Sequence, residues 1–123
     1  MDIGAFTLCL SVKNIQKSKE FYENIGFNIV SGDINQNWLV LKNGNCRIGI
    51  FQGILEKNAL TFIPGWDQDG NELKDFTDVR EIQKTIKSKG ITLQSEADDK
   101  TKGPANFTLE DPDGNSIFFD QYI

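Results

Sequence analysis

The sequence predicts an α+β domain in which a strand, a helix and three further strands form a module that is repeated in tandem. Short runs of alternating polarity mark the strands, and apolar residues at helical spacing mark one helix in each half. Short turns join the strands of each three-strand run, which favours antiparallel pairing within a module over a doubly wound parallel sheet. We therefore predict one domain, 1–123, built from two βαβββ modules of about 1–54 and 55–123.

The two halves also resemble each other in sequence, which supports the repeat. The matching segments are FYENIGFNIVS with TIKSKGITLQS, and LKNGNCRIGIF with LEDPDGNSIFF. No linker or low-complexity segment divides the chain.

The first module begins with a strand in which Phe6, Leu8 and Leu10 alternate with polar or small residues. Asn14 is a suitable N-cap for the helix that follows, and Gly26 is a suitable residue to end it. Asn43-Gly44 predicts a hairpin turn, since this pair adopts the positive φ angles that such a turn needs. The predicted strands of this module are 6–12, 27–30, 38–41 and 46–51.

The second module follows the same plan. Asp78, with Glu81 three residues later, resembles a capping box at the start of its helix, and Gly90 ends that helix. The segment 95–103 is polar and charged, and we expect it to be mobile. The predicted strands are 59–63, 91–93, 106–109 and 116–119.

Composition and charge narrow the choice of partner and compartment. Hydrophobic residues make up 38% of the chain, which supports a packed core, and the net charge is −5. The negative charge disfavours nucleic acid and anionic membranes as partners. The start, MDIGAFTLCLSV, has no signal-peptide pattern, so we expect a cytoplasmic protein with reduced thiols. Cys9 has no His to activate it as a nucleophile, so we interpret it as a core residue.

Two motifs carry a resemblance to a known family. LSVKNIQKSKEFYENIGF resembles the opening of glyoxalase, bleomycin-resistance and extradiol-dioxygenase proteins, the vicinal-oxygen-chelate superfamily. LEDPDGNSIFF resembles the DPDGN turn and final strand of the same family. The resemblance covers nearly the whole chain. It implies a curved mixed sheet around a cleft, a helix that Phe21 and Tyr22 anchor on the sheet, and a homodimer.

The resemblance also implies where a metal would be bound. Metal-dependent members of the family use His, Glu or Gln side chains on strands of both modules to hold a divalent ion. In this sequence those positions fall on Thr7, near Gly49, around Ala59 and on Phe118. None of these is a competent ligand, and the chain contains no His. We therefore predict no metal and no cofactor.

A site made only of carboxylates and amides is the alternative. Asp120, Glu110 and Gln52 lie near the relevant strands, and such a site would suit Mg²⁺ or Ca²⁺. The runs DQDGNE and DPDGNS resemble calcium loops, but neither has the ligand series or the flanking helices of an EF-hand. We interpret both runs as solvated turns.

Strand alternation predicts which side chains line the cleft. Thr7 and Cys9 in the first strand face away from the helices, and Arg47 shares a face with Gly49 and Phe51. The ligand-binding residues that we predict are Thr7, Cys9, Trp38, Arg47, Phe51, Phe62, Phe118 and Asp120. Two alternatives stay open: the aromatic residues fill the sheet face or a dimer interface, or Arg47 is a surface residue on an edge strand.

Two functions from different classes fit these residues. The first is a binding protein that holds a small, aromatic or cationic molecule in its cleft without a catalytic metal. The second is a lyase, isomerase or dioxygenase with an atypical carboxylate metal site. The enzyme hypothesis lacks a visible acid–base pair, so we assign no catalytic residues and favour the binding protein.

Overall fold

The computed structural model describes the whole chain, residues 1–123, and confirms the α+β class. The chain divides into two compact units. The N-terminal unit is Thr7–Ala59, and the C-terminal unit is Met1–Phe6 with Leu60–Ile123. No helix is both long enough and apolar enough to span a membrane. The elements are β1 (Ala5–Val12), α1 (Ile15–Asn24), β2 (Asn28–Asp33), a 3₁₀ turn (Ile34–Gln36), β3 (Trp38–Asn43), β4 (Cys46–Gln52), β5 (Ala59–Ile63), α2 (Val79–Ser88), β6 (Ala105–Glu110) and β7 (Ser116–Gln121).

The sheet of the N-terminal unit has the strand order β2-β3-β4-β1. β2, β3 and β4 pair antiparallel, and β4 pairs parallel with β1. The predicted hairpin turn joins β3 to β4, with Gly44 at φ +57° and Asn43 opposite Cys46. Cys46 is exposed at this turn and Cys9 is buried in β1, and both are free thiols.

Helix α1 covers one face of this sheet and builds a core with it. Asn14 caps the helix as predicted, since its side chain accepts a hydrogen bond from the Lys17 amide at 3.1 Å. Tyr22 packs against the core, but the side chain of Phe21 is 59% exposed. The prediction that Phe21 anchors the helix is therefore wrong. The buried residues of this core are Ile15, Leu39, Leu41, Ile48 and Ile50.

In the C-terminal unit the strand order is β5-β7-β6, and α2 packs on one face. β6 and β7 pair antiparallel, with Phe107 opposite Phe119 and their rings stacked 4.6 Å apart. The buried core is Val79, Ile82, Phe107, Leu109 and Phe119.

Two side chains cap the start of α2. Asp78 is the N-cap as predicted, and its carboxylate accepts hydrogen bonds from the Arg80 amide at 2.9 Å and the Arg80 guanidinium at 3.0 Å. The buried Gln121 accepts a hydrogen bond from the Val79 amide at 2.7 Å. Two of the amides that a helix leaves unpaired at its start are therefore satisfied.

The region between α2 and β6 differs from the sequence prediction. Residues 91–93 form no strand, and β-pairing of this region with the sheet is limited to a bridge between Ser95 and Thr108. The segment 95–103, expected to be mobile, is tied to α2 by side chains. The Gln83 amide pairs with both backbone groups of Ala97, at 2.7 and 3.0 Å, and Arg80 donates to the carbonyl of Gly103. These bonds satisfy backbone groups of the segment with side chains of α2.

Candidate functional site

Five of the predicted ligand-binding residues lie on one face of the N-terminal unit. The apolar residues of β3 and β4 point toward α1, so the alternate positions point the other way, onto what we call the helix-free face. Cross-strand pairing sets the rows on this face. They are Lys42 with Arg47, Val40 with Gly49 and Cys9, and Trp38 with Phe51 and Ser11.

Arg47 and Thr7 form a buried polar pair on this face. Arg47 is 6% exposed and Thr7 is 4% exposed, and Arg47 Nε donates to Thr7 Oγ1 at 3.2 Å. β4 lies between β3 and β1, so Arg47 is not on an edge strand. The pair therefore places a buried guanidinium on the helix-free face.

Phe51 and Trp38 form an aromatic layer next to this pair. Their rings stack with centroids 6.3 Å apart and planes 10° apart. Gly49 lies beneath Phe51, because a Cβ atom built on Gly49 would lie 2.7 Å from the Phe51 ring and 3.3 Å from Cys9 Sγ. The absence of a side chain at Gly49 therefore makes room for the ring.

Two more predicted residues, Phe118 and Asp120, lie on one face of the C-terminal unit. They are on β7, opposite Thr108 and Asn106, and they alternate with the core residue Phe119. Partial burial raises the pKa of the Asp120 carboxyl, although hydrogen bonds from Tyr122 and Asn106 oppose that shift. The charged form of Asp120 is thus less well solvated than that of an exposed aspartate.

Phe62, the eighth predicted residue, lies on the other face of the C-terminal unit. Its ring contacts Phe6 and Phe119, at centroid distances of 5.4 and 5.3 Å, and it packs against the core under α2. Phe62 therefore does not share a face with Phe118 and Asp120. The ring of Trp66, in the same unit, contacts the ring of Tyr122 at a centroid distance of 4.8 Å.

The comparisons with known proteins define the class to which this chain belongs. A model of the Glyoxalase/Bleomycin resistance protein/Dioxygenase superfamily matches residues 4–119. The chain is a member of that superfamily. No curated protein matches it significantly.

Solved structures show the same fold. An NAD-dependent benzaldehyde dehydrogenase from Legionella pneumophila is 18% identical with a TM-score of 0.70, covering 96% of this chain and 99% of that one. A superfamily member from Vibrio splendidus 12B01 is 14% identical with a TM-score of 0.64, covering 94% and 97%. A catechol 2,3-dioxygenase is 17% identical with a TM-score of 0.61, covering 98% of this chain and 40% of that one. At these identities the likeness concerns the fold alone.

The residues at the expected metal positions do not fit a metal ion. Thr7 Oγ1 accepts a hydrogen bond from the Arg47 guanidinium, a cation that would repel a divalent ion beside it. Gly49 has no donor atom, and Phe51 occupies the space that an acidic side chain would need. Ala59 and Phe118 have apolar side chains. No group of three or more His, Cys, Asp or Glu side chains is arranged to hold an ion.

The side chains considered for a carboxylate site have other partners. Gln52 Oε1 accepts a hydrogen bond from the Ile15 amide at 2.8 Å and so supports the start of α1. Glu110 accepts a hydrogen bond from the Gln94 side chain. Each of these two side chains therefore already has a polar partner within its own unit.

The two DxDGN runs fold as matching turns. Asp67 Oδ1 accepts the amides of Asp69 and Asn71, and Asp111 Oδ1 accepts those of Asp113 and Asn115, all at 2.9 Å. Hydrogen bonds from the Asn115 side chain and backbone lower the pKa of Asp111. The first aspartate of each run, Asp67 or Asp111, therefore closes a turn with its carboxylate, in agreement with the interpretation of both runs as turns.

Sequence reasoning missed a groove on the surface of the C-terminal unit. It has a volume of about 540 Å³ and lies between α2 and the segment 96–99. Arg80, Lys84 and Lys87 line one side, and acidic residues line the other, with Lys87 and Glu96 joined at 2.6 Å. The spacing 80, 84, 87 marks a basic helix face in the sequence, but no pattern there shows that an acidic segment folds back onto it.

Proposed function

We propose that this chain is a small-molecule-binding member of its superfamily that works without a catalytic metal. Its ligand is a small aromatic or cationic molecule held on the helix-free face by the predicted ligand-binding residues of the N-terminal unit. One observation carries the proposal: Thr7, one of the positions at which the family would hold an ion, is hydrogen-bonded to the guanidinium of Arg47. A tethered cation and a bound divalent ion are poorly compatible at such short range.

The rest of the helix-free face supports binding of a planar molecule. Trp38 and Phe51 offer a stacked aromatic layer, and Thr7 and Cys9 add a hydroxyl and a thiol. A mainly apolar surface with a few polar groups is typical of small-molecule sites.

Metal analysis tests the first part of the proposal. The protein should be purified without a His tag and without added metal, and its bound metals measured by elemental analysis. We expect no metal in stoichiometric amount, and no rise in melting temperature on addition of Mn²⁺, Fe²⁺, Ni²⁺ or Zn²⁺. A near-stoichiometric ion would instead support the alternative function, a lyase, isomerase or dioxygenase with an atypical metal site.

Tryptophan fluorescence tests the second part. A panel of small aromatic and cationic compounds should include some that quench the emission, because a ligand stacked on Trp38 changes the surroundings of its indole. Trp38→Phe should remove the response, and Trp66→Phe, which leaves Trp38 in place, should retain it. A response that is lost with Trp66 alone would locate the ligand elsewhere.

A further inference from the structure

We infer that Asn43, the last residue of β3, is a site of spontaneous deamidation, a covalent modification that breaks the hydrogen bond between the β3–β4 turn and the end of α1. The inference concerns the N-terminal unit alone and does not depend on the proposed function. It rests on the residue that follows Asn43, on the backbone amide of that residue, and on the contact that the Asn43 side chain makes.

The first step of the argument is the residue after Asn43. Asn43 is the one asparagine of the chain that is followed by glycine. In deamidation the backbone nitrogen of the next residue attacks the side-chain amide carbon, so a residue without a Cβ atom obstructs the ring closure least. Asn43 and Gly44 are both exposed, and a Cβ atom built on Gly44 would meet nothing within 4 Å. Water and base therefore have access to the reacting atoms.

The second step is the state of the attacking nitrogen. Asn43 pairs with Cys46, so Gly44 and Asn45 form the loop of the hairpin and lie outside the ladder of backbone hydrogen bonds. The amide of Gly44 donates no hydrogen bond within the protein. Its proton can therefore be removed by base from water without the loss of an internal hydrogen bond.

The two Asp-Gly pairs of the chain show the contrast. An aspartate followed by glycine can form the same ring, with loss of water in place of ammonia. The amides of Gly70 and Gly114, however, each donate to a backbone carbonyl at 3.0 Å inside their turns. Ring closure there has to break that hydrogen bond first, so these two positions should react more slowly than Asn43.

The reaction needs water and no other co-reactant. Base removes the proton of the Gly44 amide, the nitrogen forms a bond to Cγ of Asn43, and the bond from Cγ to Nδ2 breaks with release of ammonia. Water then opens the cyclic imide at one of its two carbonyl carbons. One product is aspartate. The other is isoaspartate, in which the main chain runs through the former side chain and is one methylene longer.

The third step is the contact that the reaction removes. Asn43 Nδ2 donates to the carbonyl of Gly26, just after α1, at 3.0 Å. This hydrogen bond is exposed, so water competes for both groups and the side chain is released often enough to react. A carboxylate at position 43 can only accept hydrogen bonds, so it repels the Gly26 carbonyl. Isoaspartate also lengthens the chain at the residue opposite Cys46.

Peptide mapping by mass spectrometry tests the inference on the full chain. The folded protein should be incubated for several days at mildly alkaline pH, and its asparagines compared at intervals. We expect the fragment that contains Asn43 to gain the mass difference between a hydroxyl and an amino group, and to separate into aspartate and isoaspartate forms. Asn45, in the same turn but followed by Cys46, is the internal control and should stay intact.

Two matched substitutions test the role of the attacking residue. Gly44→Asp adds a Cβ atom at a position with φ +57°, which aspartate tolerates better than most residues. It should slow the modification of Asn43 at least about tenfold, because the Cβ atom hinders the approach of the nitrogen. Gly53→Asp makes the same change at an exposed glycine with φ +70° and open space around it, and should leave the rate unchanged.

The loss of the hydrogen bond to Gly26 has its own measurement. Asn43→Asp reproduces one product, and it should lower the melting temperature more than Asn45→Asp, which adds the same charge to the same turn. An equal effect of the two variants would overturn the link to α1. Asn43 that stays intact in the folded protein, while a peptide of the same sequence reacts, would overturn the site itself, as would equally rapid reaction at Asn45 or at the Asp-Gly pairs.

Discussion

Asp120 shows how one residue on β7 can link folding to pH. Its pKa is raised because partial burial disfavours the charged form, and the hydrogen bonds from Tyr122 and Asn106 do not compensate fully. A carboxyl group whose pKa is raised on folding stabilises the protein most when it is protonated. Its contribution is therefore fully present below the unfolded-state pKa and is lost as the pH rises through the folded-state pKa.

Replacing Asp120 with Asn should show this dependence. At pH 7, Asp120→Asn removes a poorly solvated charge while keeping an acceptor oxygen, so we expect its melting temperature to exceed that of the unmodified protein. The difference should shrink below about pH 4, where the carboxyl is protonated in both states. Thermal unfolding followed across this range measures the effect, and Asp113→Asn, at an exposed turn, is the control. A gain that does not change with pH would show that charge is not its cause.

For single residues, the sequence predicted which face of a strand a side chain occupies better than it predicted what that side chain contacts. Alternation along β1 and β4 is sufficient to place Thr7, Cys9 and Arg47 on one face, because neighbouring side chains of a strand point to opposite sides. The burial of Arg47 could not be predicted, because it depends on the position of β4 within the sheet. Phe62 was equally ambiguous, since an apolar residue can pack under a helix or line an open face.

At the scale of elements, the two helices begin in different ways. α1 is capped by the neutral Asn14, whereas α2 is capped by the charged Asp78. The pKa of Asp78 is lower than that of an ordinary aspartate. Partial burial acts to raise this pKa, but the hydrogen bonds from Gln121 and Arg80 and the charge of Arg80 together lower it by more. This carboxylate stabilises the fold above its unfolded-state pKa, and the stabilisation is lost as the pH falls through its folded-state pKa.

Substitution of the two N-cap residues should destabilise the protein in a pH-dependent way for Asp78 and in a pH-independent way for Asn14. Asp78→Ala is expected to cost about 1–2 kcal/mol of unfolding free energy at pH 7, and less at about pH 3. Asn14→Ala should cost about 1 kcal/mol at both values, because no ionisable group is removed. Urea unfolding at the two pH values measures both. Equal pH profiles for the two variants would contradict the role of the Asp78 charge.

The helices and turns were predictable because local chemistry determines them. Asn14, Asp78 and the Asn43-Gly44 turn each act through neighbouring backbone groups. The predicted strand at 91–93 does not form. A strand, unlike a cap or a turn, also needs a neighbouring strand with free backbone groups, which the local sequence does not reveal. Gln83 and Arg80 take up the backbone of the following segment instead, and no local pattern indicates such contacts.

At the scale of the whole molecule, β2 forms an edge of the sheet to which a second chain could bind. All six residues of β2 are exposed, including Ile29 and Val30. An uncovered edge strand with apolar side chains tends to pair with another chain. We propose that the protein is a homodimer and that this edge contributes to the contact.

Analytical ultracentrifugation tests the proposed dimer. We expect a mass of twice the chain, and we expect Val30→Lys to shift it toward the monomer, because a charge on the edge opposes strand pairing. Ile54→Lys is a matched control, since Ile54 is 54% exposed and Val30 is 51% exposed, but Ile54 lies outside the strands. A monomer at all concentrations would refute the proposal, and an equal effect of both variants would place the contact elsewhere.

The packing of Phe51 over Gly49 also limits how this chain could change by mutation. An acidic residue introduced at Gly49 would collide with the ring, so it could be accommodated only after Phe51 had been replaced or had turned away. Even then the new carboxylate would meet the guanidinium of Arg47 and form an ion pair with it before it could hold a metal. A carboxylate at Gly49 that could hold a metal would therefore require changes at Phe51 and Arg47 as well, because the three positions lie on one strand face and constrain one another.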